Sequence, residues 1–189
     1  LKKNTKYDIF RGSNENVLKR FFFCAKKYKA KYVVRITADD PLKDPKIIDK
    51  AIRIILKNKD IDYCSNTLRA SYPDGLDVEV FKFTALKKAF FQAKLHSEKE
   101  HVTPYIWKNK DLFKIKNFSH KENLSKWRLT VDYKRDLKII KKIFNHFKNI
   151  IHVPYYEIIY YIKKDKKNLL ITNKKKNESY LNQVKYEKF

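Results

Sequence analysis

Short apolar segments with the spacing of β-strands alternate along this chain with longer segments whose apolar residues recur every three or four positions. The spacing predicts strands at residues 32–36, 61–66, 78–83, 112–118 and 127–131, with helices between and after them. Such alternation is typical of an α/β fold, in which helices cover a largely parallel sheet. We therefore predict one α/β domain over residues 1–162 and a basic C-terminal tail over residues 163–189.

Residues that commonly cap helices mark several predicted helix starts. Ser13 precedes a segment with helical apolar spacing, and Asp44 is followed by a proline, which is a strong start signal. Thr84 is predicted to cap the next long helix, and Ser97 to open a short helix with a capping box. An amphipathic helix is predicted over residues 134–147, and one more helix precedes the tail.

The chain is strongly basic. Lysine and arginine number 45 against 21 acidic residues, which gives a formal net charge of +24. The excess is mostly Lys and accompanies many Asn, Ile, Tyr and Phe residues, a mixture that an AT-rich coding bias would also produce. The charge therefore reflects either compositional drift or a basic surface that binds a polyanion. Because the lysines are scattered over all helices and no nucleic-acid-binding motif occurs, we do not expect a nucleic-acid partner.

The sequence gives no sign of a membrane or secreted protein. No segment approaches the roughly 20 apolar residues that span a bilayer, and the polar start lacks the apolar centre of a signal peptide. Cys24 and Cys64 lie far apart in apolar segments, which is typical of buried free thiols in a reducing compartment. We therefore expect a cytoplasmic protein. The chain has no Met and begins with Leu1, so we also expect a processed protein or a fragment.

Carboxylates directly follow two of the predicted strands. Asp39 and Asp40 come after residues 32–36, and Asp132 comes after residues 127–131. Ligands of open α/β sheets collect at the carboxyl ends of strands, and Mg²⁺ takes one or two carboxylates while phosphates and water complete its shell. Asp39 and Asp132 are therefore candidate catalytic and metal-binding residues. Asp40 has an alternative interpretation as a turn residue, and Asp132 has one as a helix cap.

A glycine-containing loop near the start of the chain is a second candidate. Arg11, Gly12 and Ser13 lead into a predicted helix that carries Arg20. Backbone N–H groups at such a start, together with the arginines, suit a nucleotide base or phosphate. Most loops of this kind are ordinary helix starts, so the pattern alone is a weak signal.

A third candidate surrounds the second glycine. Asp74 and Gly75 form a turn signal, and Asp77 and Glu79 then lie on one face of a predicted strand. Such acceptors suit a polar sugar pocket, but a solvated edge strand would show the same pattern. In the predicted short helix that follows, His101 is a lone histidine, which is more often structural than catalytic.

Taken together, six ordered segments resemble motifs of one enzyme family, the cytidylyltransferases of the spore coat polysaccharide biosynthesis protein F type. That family is related to the acylneuraminate and 3-deoxy-manno-octulosonate cytidylyltransferases. The segments are FRGSNENVLKR at 10–20, RITADDPL at 35–42, YPDGLDVEVF at 72–81, EKEHVTPYI at 98–106, WRLTVDYKRDL at 127–137 and NESY at 177–180.

The resemblance implies a three-layer α/β/α fold of the nucleotide-diphospho-sugar-transferase type. It also implies an enzyme that transfers CMP from CTP to a sugar hydroxyl and releases pyrophosphate, for surface polysaccharide synthesis, with Mg²⁺ as cofactor and a homodimer as the assembly. Carried over by motif, Asp39 and Asp132 hold the metal. The cytidine side would comprise Arg11, Gly12, Ser13 and Arg20, and the acceptor-sugar side would comprise Asp74, Gly75, Asp77, Glu79, Glu100 and His101.

The chain departs from the family pattern in several respects, among them Asp40 at an apolar or thiol position and Asn16 in place of Asp. It lacks the strand and the Gly- and Arg-rich loop with which family members open and grip the triphosphate, and Ala38 stands where the family has Gly. We therefore expect an N-terminally incomplete fold that is inactive by itself. Three alternatives remain open: a metal-dependent glycosyltransferase, a basic nucleic-acid-binding protein and a non-catalytic relative. Against the first, Asp39-Asp40 is not the spaced acidic pair of glycosyltransferases.

Overall fold

The computed structural model describes residues 7–148, 150, 152–164 and 178–187. In these ranges the chain forms four strands and eight helices. The strands are β1 (Tyr32–Arg35), β2 (Tyr63–Ser65), β3 (Glu79–Lys82) and β4 (Ile115–Asn117). The helices are α1 (Val17–Lys27), α2 (Pro45–Lys57), α3 (Phe83–Gln92), α4 (His96–His101), α5 (Pro104–Lys108), α6 (Lys134–His146), α7 (Tyr155–Lys164) and α8 (Glu178–Tyr186).

The four strands form one mixed sheet in the order β1-β3-β2-β4. β2 and β4 are parallel, but β3 runs antiparallel to both of its neighbours, β1 and β2. The prediction of a largely parallel sheet is therefore wrong, because the connection after β2 turns back instead of crossing over. As a result, β3 begins at the edge of the sheet where the other three strands end.

Helices cover both faces of the sheet, which confirms the predicted layered α/β fold. On one face, Cys64 and Val80 pack against α2, α6 and α7, and on the other, Tyr63 and Phe81 pack against α1, α3 and α5. Adjacent strand residues point to opposite faces, so each short strand contributes to both apolar clusters. The sheet is thus the middle of three layers.

The segment 127–131 does not form a strand of this sheet, contrary to the prediction. Its backbone makes one isolated parallel bridge, between Asp74 and Arg128. Further bonds join Leu129 N–H to the Asp74 carbonyl at 2.7 Å and Val131 N–H to the Asp39 carbonyl at 2.9 Å. The segment is therefore extended, but it is shared between two loops instead of pairing along one strand.

Asp44 begins α2 as predicted, since its carboxylate accepts from Lys46 N–H at 2.6 Å. Ser13 and Thr84 are not caps. Asn16 caps α1, and its own N–H donates to Ser13 Oγ at 3.0 Å, whereas α3 begins one residue before Thr84 without a side-chain cap. The cap of α1 therefore lies three residues after the predicted one, and α3 begins without any side-chain cap.

The helix expected to open at Ser97 begins at His96. The predicted capping box of Ser97 with Glu100 does not form, because Leu95 is the N-cap and the carboxylate of Glu98 instead accepts from the backbone N–H groups of Lys94 and Leu95 at 3.1 and 3.2 Å. Part of the predicted C-terminal tail, α8, packs against α4. Within the described ranges, every helix is too short or too polar to cross a bilayer.

Candidate active site

The edge of the sheet at which β3 begins gathers most of the residues singled out in the sequence. The register pairs Arg35 at the end of β1 with Glu79, and Glu79 in turn with Ser65 at the end of β2. Ser65 pairs with Asn117 at the end of β4. The loop after β1, which carries Asp39, and the loop before β3, which carries Asp74–Asp77, therefore leave the sheet at the same edge.

Asp39 and Asp132 lie close together at this edge. The carbonyl of Asp39 accepts from Val131 N–H at 2.9 Å and from Thr130 Oγ1 at 3.3 Å, so the two backbones run side by side one residue from Asp132. Asp39 is exposed, and no ion pair engages its carboxylate within the described ranges. The structure thus brings the two predicted metal-binding residues together.

Asp40 occupies a different environment. Its buried carboxylate accepts from Thr37 Oγ1 at 2.7 Å and pairs with Lys43 Nζ at 2.7 Å. Both partners lie three residues away in the same loop, so Asp40 stabilises the turn that presents Asp39. The turn interpretation of Asp40 is therefore the one that the structure supports.

Arg128 is the cation around which the acidic residues of this edge are arranged. Its Nη1 donates to Asp74 Oδ2 at 2.9 Å, its Nε donates to Asp136 Oδ2 at 3.1 Å, and its Nη2 donates to Asp132 Oδ2. Burial opposes the charge, but the three carboxylates raise the pKa of Arg128 above its ordinary value. We call these four residues the Arg128 cluster.

The Arg128 cluster fixes the start of α6 as well as Asp132. Asp136 Oδ2 also accepts from the N–H groups of Asp132 and Tyr133 at 3.0 and 3.1 Å, which satisfies two donors at the helix start. Asp132 is therefore not the helix cap that was considered as its alternative, because Tyr133 occupies the cap position. The side chain of Asp132 is 44% exposed, and Arg128 binds its Oδ2 atom. The Oδ1 atom can therefore accept a further ligand.

Gly75 allows the loop before β3 to touch the segment of Arg128. Its φ is +99°, a conformation that side chains disfavour, and a Cβ there would lie 2.6 Å from the Leu129 carbonyl carbon. Asp74 is consequently held against Arg128. The carbonyl of Asp77 accepts from Lys43 Nζ, which joins this loop to the Asp40 turn.

Glu79 is buried and bonded on both oxygens. Its Oε1 accepts from Tyr63 Oη at 2.6 Å and Thr103 Oγ1 at 2.5 Å, while Oε2 pairs with Arg35 Nη1 at 2.5 Å. Burial and the Glu79 charge raise the pKa of Tyr63 well above its ordinary value, so the phenol stays a donor. We therefore assign Glu79 a positioning role beside the predicted acceptor-sugar residues.

Glu100 and His101 lie at the end of α4 and contact α8. Gln183 bridges them: its oxygen lies 3.1 Å from His101 Nε2, and its nitrogen donates to Glu100 Oε2. Burial lowers the pKa of His101 below its ordinary value of 6.5, although the Glu100 charge opposes this shift. His101 is thus a neutral, half-buried imidazole at pH 7.

The loop of Arg11, Gly12 and Ser13 precedes α1, which packs against α3 and α4. Arg20 Nη1 donates to the carbonyl of Ser13 at 2.9 Å, and a Cβ on Gly12 would lie 3.2 Å from Arg20 Cγ. Arg20 therefore shapes this loop from within, whereas Arg11 is exposed. No described contact joins the loop to Asp39 or Asp132.

Sequence reasoning missed four residues that organise the edge: Arg35, Asn66, Thr103 and Arg128. Asn66 is fully buried, and its amide donates to the Leu76 carbonyl and accepts from Val78 N–H, both at 2.9 Å. The available signal was weak but present, because Arg35 and Arg128 are arginines inside apolar segments of a chain whose cations are mostly lysines.

A cavity of about 500 Å³ lies at the opposite end of the sheet, where β1 begins and β3 ends. Its lining includes Lys26, Lys29, Lys31 and Lys82 over an apolar floor. Lys82 donates to the Lys59 carbonyl and to Asp62, and no carboxylate, histidine or cysteine lines this cavity. The carboxylate-rich edge is therefore the candidate active site.

The three-layer α/β/α fold is of the nucleotide-sugar-transferase type. A family model for cytidylyltransferases matches residues 5–185, and the chain belongs to that family. A solved cytidylyltransferase from Leptospira borgpetersenii superposes with a TM-score of 0.84 at 30% identity, over 92% of this chain and 72% of that one.

Two curated relatives have similar sequences. An uncharacterized protein of Methanocaldococcus jannaschii is 38% identical over 92% of this chain and 70% of its own length. The spore coat polysaccharide biosynthesis protein SpsF of Bacillus subtilis is 27% identical over 73% of this chain and 57% of its own length. The family model, the Leptospira structure and SpsF confirm the resemblance drawn from the six motifs.

Proposed function

We propose that the protein to which this chain belongs is a sugar cytidylyltransferase, which transfers CMP from CTP to a sugar hydroxyl in the synthesis of a surface polysaccharide, and that these 189 residues are inactive by themselves. The single observation that supports this proposal best is the juxtaposition of Asp39 and Asp132 at the sheet edge, through the 2.9 Å bond from Val131 N–H to the Asp39 carbonyl. Membership of the cytidylyltransferase family provides the nucleotide class.

The residues at this edge suit Mg²⁺. The exposed carboxylate of Asp39 and the accessible oxygen of Asp132 supply the hard oxygen ligands that this ion prefers, and two carboxylates leave most of its shell to phosphates and water. Within the described ranges, no group of three or more His, Cys, Asp or Glu side chains is arranged to hold a metal ion. When bound, the ion would neutralise negative charge on the transferring phosphate.

The proposed reaction is a displacement at the α-phosphorus of CTP. The acceptor hydroxyl oxygen forms the new P–O bond, the bond to the bridging β-phosphate oxygen breaks, and pyrophosphate leaves. The hydroxyl proton passes to a nearby acceptor or to water. The protein contributes mainly positioning and charge neutralisation, as phosphoryl-group transfer requires.

The acceptor sugar would bind beside the loop of Asp74–Asp77 and the pair Glu100 and His101. Glu79 supports this side by holding Thr103, two residues after His101, at 2.5 Å. On the nucleotide side, Arg11, Gly12 and Ser13 would contact the cytidine, and Arg20 would hold the shape of their loop. A homodimer is part of this proposal as well.

Pyrophosphate release tests the proposal, measured on the protein as its gene encodes it. CTP, UTP and GTP are each supplied with Mg²⁺ and a panel of sugar and sugar-acid acceptors. We expect turnover with CTP and none with UTP or GTP. The rate of pyrophosphate release should fall at least about 100-fold in Asp39→Asn and Asp132→Asn, because each substitution removes a charged ligand. Asp49→Asn, on the exposed face of α2, is the matched control.

Two results would contradict the proposal. The first is full turnover by Asp39→Asn, which would show that this edge is not the active site. The second is hydrolysis or transfer of a UDP- or GDP-sugar without any use of CTP, which would assign the edge to a glycosyltransferase.

A further inference from the structure

Helix α8 touches both members of the Glu100 and His101 pair through one side chain. Gln183 Nε2 donates to Glu100 Oε2, and Gln183 Oε1 lies 3.1 Å from His101 Nε2. Glu100 also lies 3.5 Å from His96 Nδ1, one turn earlier in α4. The amide is therefore placed between an anion and an imidazole.

The carboxylate fixes the direction of the Gln183 amide. An ionised Glu100 can only accept hydrogen bonds, so the NH₂ group of Gln183 faces it and the carbonyl oxygen faces His101. A carbonyl oxygen can only accept, so His101 Nε2 carries the proton in this pair. In the neutral ring the lone pair then lies on Nδ1.

His101 is neutral because of its surroundings. Burial lowers its pKa and is the largest effect. The Glu100 charge and the hydrogen bond to Gln183 raise the pKa, and of the two weaker charges Arg35 lowers it and Glu79 raises it. No described residue hydrogen-bonds to Nδ1, and this nitrogen is not among the fully enclosed polar atoms without a partner. Nδ1 is thus the ring nitrogen left to accept from a further ligand, and Arg35 and Glu79 lie close enough for their charges to act on the ring.

Two further contacts hold α8 in place. Glu187 accepts from both the backbone N–H and the hydroxyl of Ser97 at 2.6 Å, and these bonds lower the pKa of Glu187 although burial opposes them. The Tyr180 ring meets His101 edge-on with centroids 5.3 Å apart, and it meets Trp107 at 5.5 Å. The contact between Gln183 and His101 is therefore built by several side chains and is not a single surface bond.

We propose that Gln183 is a positioning residue that holds His101 with its proton on Nε2, so that Nδ1 accepts a hydrogen bond from the hydroxyl of the acceptor sugar. This inference rests on the proposed function for the identity of the ligand. It assigns α8, a helix far along the chain from the other site residues, to acceptor recognition. A neutral acceptor nitrogen favours a ligand that donates, such as a hydroxyl, over a carboxylate or phosphate oxygen.

The test reads the His101 ring directly. Protein labelled with ¹⁵N-histidine is examined by NMR above the ordinary histidine pKa, where two-bond couplings show which ring nitrogen carries the proton. We expect the Nε2–H form in the native protein and in Asn182→Leu, an exposed position on the same helix that serves as the matched control. Gln183→Leu and the shorter amide Gln183→Asn should show a mixture of both forms.

Acceptor binding provides the second readout. N-acetylneuraminate and 3-deoxy-manno-octulosonate are added to the labelled protein, and we expect one of them to shift the Nδ1 signal. In turnover, Gln183→Leu should raise the acceptor KM about 10-fold, which is the loss of one hydrogen bond, and leave the CTP KM unchanged. Asn182→Leu should keep both values.

The outcomes separate this inference from the proposed function. The inference is overturned if the Nε2–H form persists in both Gln183 variants, or if neither sugar shifts Nδ1, even when CTP is consumed. A sugar-dependent Nδ1 shift that disappears in Gln183→Leu, in a protein that does not use CTP, would support the inference and reject the cytidylyltransfer step.

Discussion

The carbonyl oxygen of Asp39 accepts a 2.9 Å hydrogen bond from the backbone N–H of Val131, although the two residues lie far apart in the chain. The bond joins the loop after β1 to the extended segment before α6. It brings Asp39, which is exposed, next to the backbone of Asp132, and Arg128 donates to Oδ2 of Asp132. One backbone contact and one ion pair therefore assemble the proposed metal site from two loops.

Arg128→Met is expected to destabilise the fold strongly. The substitution leaves the carboxylates of Asp74 and Asp136 without their cation, and both side chains are mostly buried, with 16% and 7% exposure. Removal of one partner from a buried ion cluster costs about 3–5 kcal/mol. Urea denaturation measures the change in the free energy of unfolding.

Arg53→Met is the matched control for this prediction, because Arg53 lies on the exposed face of α2. A surface substitution of this kind should change the free energy of unfolding by less than about 0.5 kcal/mol. Equal effects of the two substitutions would show that the Arg128 cluster contributes no special stability.

The two glycines of the chain should respond differently to alanine. A Cβ at Gly75 would lie 2.6 Å from a backbone carbon of Leu129, and φ there is +99°. Gly75→Ala should therefore cost at least about 2 kcal/mol and loosen the contact of Asp74 with Arg128. Thermal and urea unfolding measure the cost.

Gly12→Ala provides the comparison. Its Cβ would lie 3.2 Å from Arg20 Cγ and 3.5 Å from the Phe10 ring, with no backbone atom among its three nearest contacts, and its φ is not in the positive region. We expect a cost below about 1 kcal/mol. A larger loss at Gly12 than at Gly75 would contradict the close approach described for the second loop.

Local patterns predicted the elements of this fold better than their pairing. Apolar spacing located all four strands, and the Asp44 start of α2 was predicted because the cap and its target lie two residues apart. The antiparallel direction of β3 was not predicted, since it depends on the register of Arg35 with Glu79, which no local pattern encodes. The segment 127–131 has a strand-like spacing, but it bonds to two different loops.

The candidate site follows the same division. The strand-end rule brought Asp39 and Asp132 into one prediction, and the structure does place them together. Arg128 and Gln183 were missed because their partners are distant in the sequence. Asp74 lies 54 positions from Arg128, and His101 lies 82 positions from Gln183. Glu79 was assigned to the sugar from its position on a strand face, whereas that face is buried against Tyr63 and Thr103.

The stability of the protein should fall on acidification because of His101. Burial lowers its folded-state pKa below the ordinary value of 6.5, while Glu100 and Glu79 oppose this shift and Arg35 adds to it. Above pH 6.5 the ring is neutral in both states, and its contribution to stability is complete. As the pH falls below 6.5, the imidazole takes up a proton in the unfolded chain before it does so in the folded protein. The free energy of unfolding therefore decreases with falling pH until the pH reaches the folded-state pKa.

Urea denaturation at several pH values, on the native protein and on His101→Asn, measures this contribution. The difference between the two proteins should shrink as the pH falls, because the variant has no imidazole to protonate. His146→Asn, at an exposed position, controls for the loss of a histidine. Parallel pH profiles for native protein and His101→Asn would contradict the prediction.

The two cysteines should differ in reactivity, with Cys64 protected until the sheet unfolds. Cys64 lies in β2 with no exposure, and burial raises its pKa to about 11 against the opposing charge of Lys116. At pH 8 about one thiol in a thousand would then be ionised, compared with about one in ten at the ordinary pKa of 9.0. Burial also raises the pKa of Cys24, but this residue is only partly buried.

With a thiol reagent at pH 8, Cys64→Ser should react as the native protein does, whereas Cys24→Ser should react at least about 10-fold more slowly until urea is added. Rapid labelling of folded Cys24→Ser would show that the centre of the sheet opens without global unfolding.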